Sequence, residues 1–123
     1  MKNISILISF IGFLGVALGA FGAHALKNHL QRAEMTSVWE TAVLYQLIHV
    51  VAAWAVLARN PLNSWHSRAT WSWLAGIVLF SGSLYALALG GPGWIGPITP
   101  VGGGWLLFGW FAAGRGEWVR LKN

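Results

Sequence analysis

The stretch ISILISFIGFLGVALGAFGAHA, residues 4–25, decides the fold class because it contains no Asp, Glu, Lys or Arg. A helix of about 20 apolar residues crosses the hydrocarbon core of a bilayer, so the stretch predicts a membrane-spanning helix. Four glycines recur in it at steps of three, four and three, which places them on one helix face. They are Gly12, Gly15, Gly19 and Gly22. Such a face is typical of close helix packing in lipid, and a substrate groove along it is the alternative interpretation.

The composition extends this interpretation to the whole chain. Charged residues make up 9 % of its 123 residues, whereas soluble domains carry roughly 25 %. Hydrophobic residues reach 56 %, which excludes both a soluble globular domain and intrinsic disorder. Three more apolar stretches follow, and the last is short and begins with Pro100 and a triple glycine. The sequence thus predicts an all-α fold, a single integral membrane domain over residues 1–123. We expect a four-helix transmembrane bundle with helices at about 4–25, 39–57, 71–89 and 99–113.

Missing residue types exclude several functions. The chain has no Cys, so it has no disulfide, thiolate nucleophile or Cys-ligated zinc. It has no Asp, so a Ser-His-Asp triad is excluded as well. The net charge of +5 is spread between apolar stretches rather than along one stripe, which predicts no nucleic-acid partner. Lys2 and the segment 23–25 imitate a signal peptide, but the apolar run is long for one and its glycines are regularly spaced.

The basic residues predict the orientation in the membrane. If both termini share one side, that side holds six of the eight bases, and the other side holds Lys27 and Arg32. The six are Lys2, Arg59, Arg68, Arg115, Arg120 and Lys122. The positive-inside rule then places both termini in the cytoplasm, with the chain in a bacterial inner (plasma) membrane. Tryptophans are expected at both boundaries: Trp39 and Trp94 at the outer one, and Trp65, Trp71, Trp73 and Trp118 at the inner one.

The links between the stretches carry weaker signals. Residues 27–38 are polar and predict a short surface helix. Ser37 and Glu40 have the spacing of a capping box, which would begin the second membrane helix at the water boundary. His29 and His66 lie in polar links, where we expect them to be solvated. The link 90–98 contains two prolines, and its conformation is left open.

Polar side chains on the apolar stretches form the candidate functional site. They are too costly to face lipid, so we expect them to face the bundle interior, mostly in its outer half. The set is His24, Glu40, Thr41, Tyr45, Gln46, His49, Ser81, Ser83, Tyr85 and Thr99. Three interpretations stay open: interhelical hydrogen bonding, a polar cavity for a proton, ion or small solute, and metal or haem ligation by the histidines with Glu40. Gly102 and Gly109 are expected to allow close packing of the fourth helix, in the same way as the four glycines of the first helix.

Four sequence blocks carry a family resemblance. Residues 19–26, GAFGAHAL, and residues 40–49, ETAVLYQLIH, resemble the first two motifs of the domain-of-unknown-function 423 family. Residues 80–89, FSGSLYALAL, resemble its third motif, and ITPVGG at 98–103 with the later Gly109-Trp110 pair resembles its fourth. One departure is Ala25, where that family commonly has a second glycine.

The resemblance implies a small bacterial inner-membrane protein with four helices, related to transmembrane protein 256 of animals. It implies no established activity. The motif residues that it transfers to this chain, apart from glycines, all belong to the polar set chosen above.

Several functions remain possible at this stage. We expect a non-enzymatic membrane protein without metal or cofactor, whose polar cluster binds a small solute or ion or supports a partner membrane subunit. One alternative is a membrane enzyme or redox subunit that uses His24 and His49 as metal or haem ligands or as acid–base groups. Another is a structural homo-oligomer or assembly factor, in which the glycine face of the first helix contacts a second protomer.

Overall fold

The computed structural model describes residues 2–123 and is all-α, as predicted. The helices are α1 (Lys2–Ala23), α2 (Lys27–Arg32), α3 (Thr36–Leu57), α4 (Ser64–Ala88) and α5 (Ile98–Lys122), and a single 3-10 turn occupies Gly93–Ile95. Of these, α1, α3 and α4 are long and apolar enough to cross a membrane. The α5 helix has the length, but its glycines and its charged last turns make it less apolar.

Residues 2–123 form five helices rather than four, and three of the long helices are longer than predicted. The link 27–38 contributes the short α2, in agreement with the surface helix expected there. The α3 helix begins at Thr36, α4 begins at Ser64, and α5 continues to Lys122. Hydropathy marks only the part of a helix suited to lipid, whereas backbone hydrogen bonding continues into the polar segments at each end. This is why the predicted boundaries fall short.

The predicted capping box at the start of the second long helix is wrong. Met35 is the N-cap of α3, and no side chain caps it. Ser37 lies inside the first turn, where its carbonyl oxygen accepts a hydrogen bond from Thr41 Oγ1 at 2.8 Å. Glu40 is therefore the fifth residue of α3. A capping box needs this side chain at the third position, from which it can reach the N-cap.

The turn before α3 explains this early start. Glu34 adopts a left-handed conformation, with φ of 56°. The backbone N–H of Met35 donates to the Leu30 carbonyl at 2.9 Å, and that of Glu34 donates to the Gln31 carbonyl at 3.2 Å. These two bonds form a Schellman motif, which ends α2 and leaves only three residues before α3 begins.

A capping box does form at the start of α4. Asn63 Oδ1 accepts from the backbone N–H groups of Trp65 and His66 at 3.0 and 3.2 Å, and the Asn63 N–H donates to His66 Nδ1 at 3.2 Å. Asn63 Nδ2 also donates to the Gly116 carbonyl at 2.9 Å, which ties this cap to α5. His66 is fully buried, so the expected solvation of this residue is wrong. It is a capping residue because α4 starts earlier than the apolar pattern suggests.

The long helices pack in the order α1, α3, α4, α5, each antiparallel to the next. The closest pair is α4 and α5, because glycines of α5 lie directly against α4. A Cβ on Gly102 would lie 2.8 Å from the Leu79 carbonyl carbon and even closer to the Phe80 nitrogen. Gly109 lies against the indole ring of Trp73, which is completely buried. The prediction that Trp73 belongs to an aromatic belt at the membrane boundary is therefore wrong. Trp73 is a core residue.

Candidate functional site

Gln46 is the centre of the hydrogen bonds that join three of the long helices, α1, α3 and α4. It lies on α3 and is buried. Its Nε2 donates to the Ile11 carbonyl of α1 at 2.8 Å, and its Oε1 accepts from the Tyr85 hydroxyl of α4 at 2.7 Å. The Tyr85 ring packs edge-on against Trp39, with 4.7 Å between centroids. Both ends of the Gln46 amide are thus used within the protein.

His49, one turn further along α3, is also fully engaged. Its Nδ1 lies 2.6 Å from the Tyr45 carbonyl oxygen, and its Nε2 lies 3.1 Å from Trp110 Nε1 of α5. An indole N–H can only donate, so Nε2 accepts and Nδ1 carries the hydrogen that is donated to Tyr45. This assigns the neutral imidazole and leaves no free ring nitrogen for a ligand.

Hydroxyl groups complete the connections between helices. The Ser81 hydroxyl donates to the Ala42 carbonyl at 2.7 Å and joins α4 to α3. The Ser83 and Thr99 hydroxyls are hydrogen-bonded at 2.5 Å, which joins α4 to the first turn of α5. Each neighbouring pair of long helices is therefore joined by a hydrogen bond from at least one buried or half-buried polar side chain, in addition to contacts between apolar groups.

Four of the predicted cluster residues lie outside this network. His24 is exposed in the turn after α1, and Glu40 is exposed near the N-terminal end of α3. Thr41 bonds only to its own helix, and Tyr45 is 40 % exposed and packs on Phe80. Within residues 2–123, no three His, Asp or Glu side chains are grouped closely enough to hold a metal ion.

The glycine face of α1 is turned toward α3 of the same chain. A Cβ on Gly15 would lie 2.7 Å from Leu47 Cδ2, and one on Gly22 would overlap the indole of Trp39. That indole donates from Nε1 to the Leu18 carbonyl of α1 at 2.9 Å. Gly12 and Gly19 likewise face valines of α3. The oligomer alternative requires the glycine face of α1 to contact a second protomer. In this structure α3 of the same chain covers that face.

A groove lies where α1, α2 and α3 meet, at the end of the molecule opposite Lys2 and Lys122, and we term it the α1–α3 groove. Its volume is about 530 Å³. Its walls are mostly apolar and include Gly19 and Gly22, whereas Lys27 and Glu40 contribute opposite charges to the lining. The remaining lining residues are Ala23, Leu30, Gln31, Thr36, Trp39, Val43, Leu44 and Leu47. No ion pair of the described chain includes either charged group.

A second polar cluster, at the opposite end, was missed by the sequence analysis. Glu117 of α5 contacts Arg59 Nε at 3.3 Å, His66 Nε2 at 3.3 Å and Arg120 Nη2 at 2.7 Å. The hydrogen bond from Arg120 lowers the pKa of Glu117 most, and the charges of Arg120 and Arg59 and the nearby His66 lower it further. The three-residue spacing of Glu117 and Arg120 is visible in the sequence. Arg59 and His66 come from other helices, so only folding places them here.

With this geometry established, comparisons with known proteins identify the family. Residues 18–103 match the model of the family described as protein of unknown function (DUF423). The chain belongs to this family. It is 44 % identical over 119 residues to a UPF0382 membrane protein of Haemophilus influenzae, and the alignment covers 95 % of each chain. It is 40 % identical to the UPF0382 membrane protein YwdK of Bacillus subtilis, over 89 % of this chain and 91 % of the relative. A fission yeast relative, the UPF0382 membrane protein C1782.12c of Schizosaccharomyces pombe, is 36 % identical over 80 % of this chain and 87 % of its own. No solved structure matches.

Membership confirms the predicted family and establishes a membrane protein. The matched range contains Gln46, Ser81 and Tyr85, together with the α1–α3 groove. Two partners of the network, Ile11 and Trp110, lie outside it. It ends before Glu117 and Arg120, so the carboxylate of the polar cluster at the other end lies outside the family model, whereas Arg59 and His66 lie within it.

Proposed function

We propose that this chain is a non-enzymatic membrane protein that binds a small zwitterion with an apolar body in the α1–α3 groove. The observation that carries the proposal is the pair Lys27 and Glu40, opposite charges that share the lining of an otherwise apolar groove and have no ion-pair partner in residues 2–123.

We also propose four membrane spans, with the apolar part of α5 at residues 98–113 as the fourth. The support is that α5 packs along α4 in antiparallel fashion and brings both termini to one side. That side holds six of the eight Lys and Arg residues, a bias that favours a cytoplasmic location in a bacterial inner membrane. The α1–α3 groove then faces the outer leaflet.

The polar network fastens the helices in this proposal and does not bind the ligand. Interhelical hydrogen bonds in membranes each contribute about 0.6–2 kcal/mol. Gln46 and His49 already use their polar atoms in such bonds, so binding a solute there would first break them. We therefore propose the α1–α3 groove as the binding site, in place of the polar cluster that the sequence predicted.

The groove suits the proposed ligand in size and chemistry. Ligand pockets commonly enclose about 300–1,000 Å³, and this groove has about 530 Å³. The Lys27 ammonium is a partner for a carboxylate, and the Glu40 carboxylate is a partner for an ammonium. The rest of the lining is mostly apolar, which suits the apolar body of the ligand. Apolar amino acids such as leucine and phenylalanine have this combination of groups.

Binding to the purified full-length protein tests the proposal. The protein is placed in lipid nanodiscs, and radiolabelled leucine and phenylalanine are titrated in a scintillation proximity assay. We expect saturable binding that Lys27→Gln and Glu40→Gln each weaken about tenfold or more, because each removes one charge-assisted contact.

Arg32→Gln is the matched control, because Arg32 is a basic residue of α2 that does not line the groove. It should bind as the unaltered protein does. An absence of saturable binding by both probes, or equal weakening in the Arg32 variant, would refute this function.

A further inference from the structure

The end of the molecule that carries both termini displays cations stacked on tryptophan rings. The Arg68 guanidinium carbon lies 4.5 Å from the Trp65 ring centroid. That of Arg115 lies 4.3 Å from Trp118 and 5.9 Å from Trp65, and Lys122 Nζ lies 3.7 Å from Trp118. Stacking of this kind holds a cation in place without neutralising its charge.

These three cations have no anionic partner within residues 2–123. Every ion pair of that part of the chain ends on Glu117, whose carboxylate is taken by Arg59, His66 and Arg120. The other two acids of the chain, Glu34 and Glu40, belong to the opposite end of the molecule. The stacked cations thus form a surface of uncompensated positive charge at a membrane boundary.

An apolar groove leads from Arg68 into the membrane region between α4 and α5, and we term it the α4–α5 groove. It has a volume of about 470 Å³, and Trp71, Ala75, Trp105 and Phe108 contribute to its walls. Arg68 is the only charged residue of its lining. From Arg68 to Ala75 the groove follows two turns of α4, a length of about 10 Å at 1.5 Å per residue. Trp71 and Trp105 are both about half exposed, so the groove is open along its side.

We propose that the α4–α5 groove binds an anionic phospholipid. Arg68 and Arg115 hold the phosphate, and one acyl chain lies along the groove against Trp105 and Phe108. Guanidinium groups bind phosphate oxygens through paired hydrogen bonds, and each base close to the surface adds to the attraction for anionic lipid. A zwitterionic phospholipid has the same phosphate but carries its own cation, which the uncompensated charge of this surface disfavours. The site is separate from the α1–α3 groove and does not depend on the function proposed there.

Lipid retention measured by native mass spectrometry tests the site. The full-length protein is reconstituted in nanodiscs of phosphatidylcholine containing one quarter phosphatidylglycerol, released in the gas phase, and its bound lipids are counted. We expect phosphatidylglycerol to be retained well above its share of the bilayer. The double variant Arg68→Gln with Arg115→Gln should lower the ratio of phosphatidylglycerol to phosphatidylcholine among the retained lipids about tenfold or more, since two phosphate contacts are lost.

The matched control is Lys27→Gln with Arg32→Gln, which removes the same charge at the opposite end. It should keep the enrichment, and a loss equal to that of the first double variant would refute a localised site by showing a bulk charge effect. Unchanged enrichment in the Arg68 and Arg115 variant would refute the proposal directly. If that variant does not fold, the variant Ala75→Phe tests the proposal instead. The larger side chain fills the groove and leaves every cation in place. It should reduce retention of phosphatidylglycerol, and full retention would overturn the placement of the acyl chain.

Discussion

The close approach of α4 and α5 gives a sharp prediction for Gly102→Ala. The added methyl group would meet the backbone of Leu79 and Phe80, which cannot move aside as a flexible side chain could. Gly104→Ala is a matched control in the same helix, because a Cβ at that position would meet nothing within 4 Å. Both variants make the same chemical change, so they differ only in what surrounds the new atom.

The magnitude follows from two opposing terms. Replacing glycine by alanine inside a helix gains about 0.5–1 kcal/mol from reduced backbone freedom. Overpacking costs about 1–3 kcal/mol, and the upper end applies to Gly102 because both contacted groups are backbone. We therefore expect Gly102→Ala to lower the free energy of unfolding by about 2 kcal/mol, and Gly104→Ala to raise it by up to about 1 kcal/mol.

Reversible unfolding in mixed micelles, with SDS as the denaturant, measures both variants. Tryptophan fluorescence reports the transition, since Trp73 is buried between these helices. Equal stability of the two variants would refute the register in which Gly102 faces Phe80. A separate check is disulfide cross-linking between cysteines introduced at positions along α4 and α5, because the chain contains no native cysteine.

Two further predictions concern hydrogen bonds made by side chains. The variants Gln46→Leu and Tyr85→Phe, measured singly and together in the same unfolding assay, should show a coupling energy of about 0.6–2 kcal/mol, and additive effects would contradict their direct bond. Asn63→Ala should lower the free energy of unfolding by about 1–2 kcal/mol, because it removes both the cap of α4 and the bond to Gly116. Ser37→Ala should change it by less than about 0.5 kcal/mol, because no side chain caps α3. A larger loss for the Ser37 variant would instead support the capping box that the sequence suggested.

The sequence predicted those features that depend on neighbours within a helical turn or two. Uninterrupted apolar stretches identified α1, α3 and α4, because a membrane span is a matter of length and composition. The steps of three and four between Gly12 and Gly22 placed the glycines on one face, which is a property of any helix. The same arithmetic placed Gln46 and His49 together on α3. It could not tell which groups on other helices they would meet.

The charged end shows the limit of this reasoning most clearly. His66 looked like a solvated loop residue, because it lies five positions before Trp71, where the apolar stretch of the sequence begins. In the structure it is buried beneath Glu117, where Gly116 leaves room for its ring. Arg59 reaches the same carboxylate from the end of α3. No local pattern predicts a meeting of three helix ends.

The amino-acid sequence by itself determined that this chain folds as helices in lipid, since backbone groups have no other way to satisfy their hydrogen bonds across apolar stretches of this length. It also determined which residues are too polar to face the acyl chains. Only the tertiary structure decided that Gln46 bonds to Ile11 and Tyr85, that Trp73 lies in the core, and that Lys27 and Glu40 line one groove. The physical reason is that the rotation and register of each helix are set by how its side chains fit those of its neighbours, a property of pairs of helices rather than of any single segment.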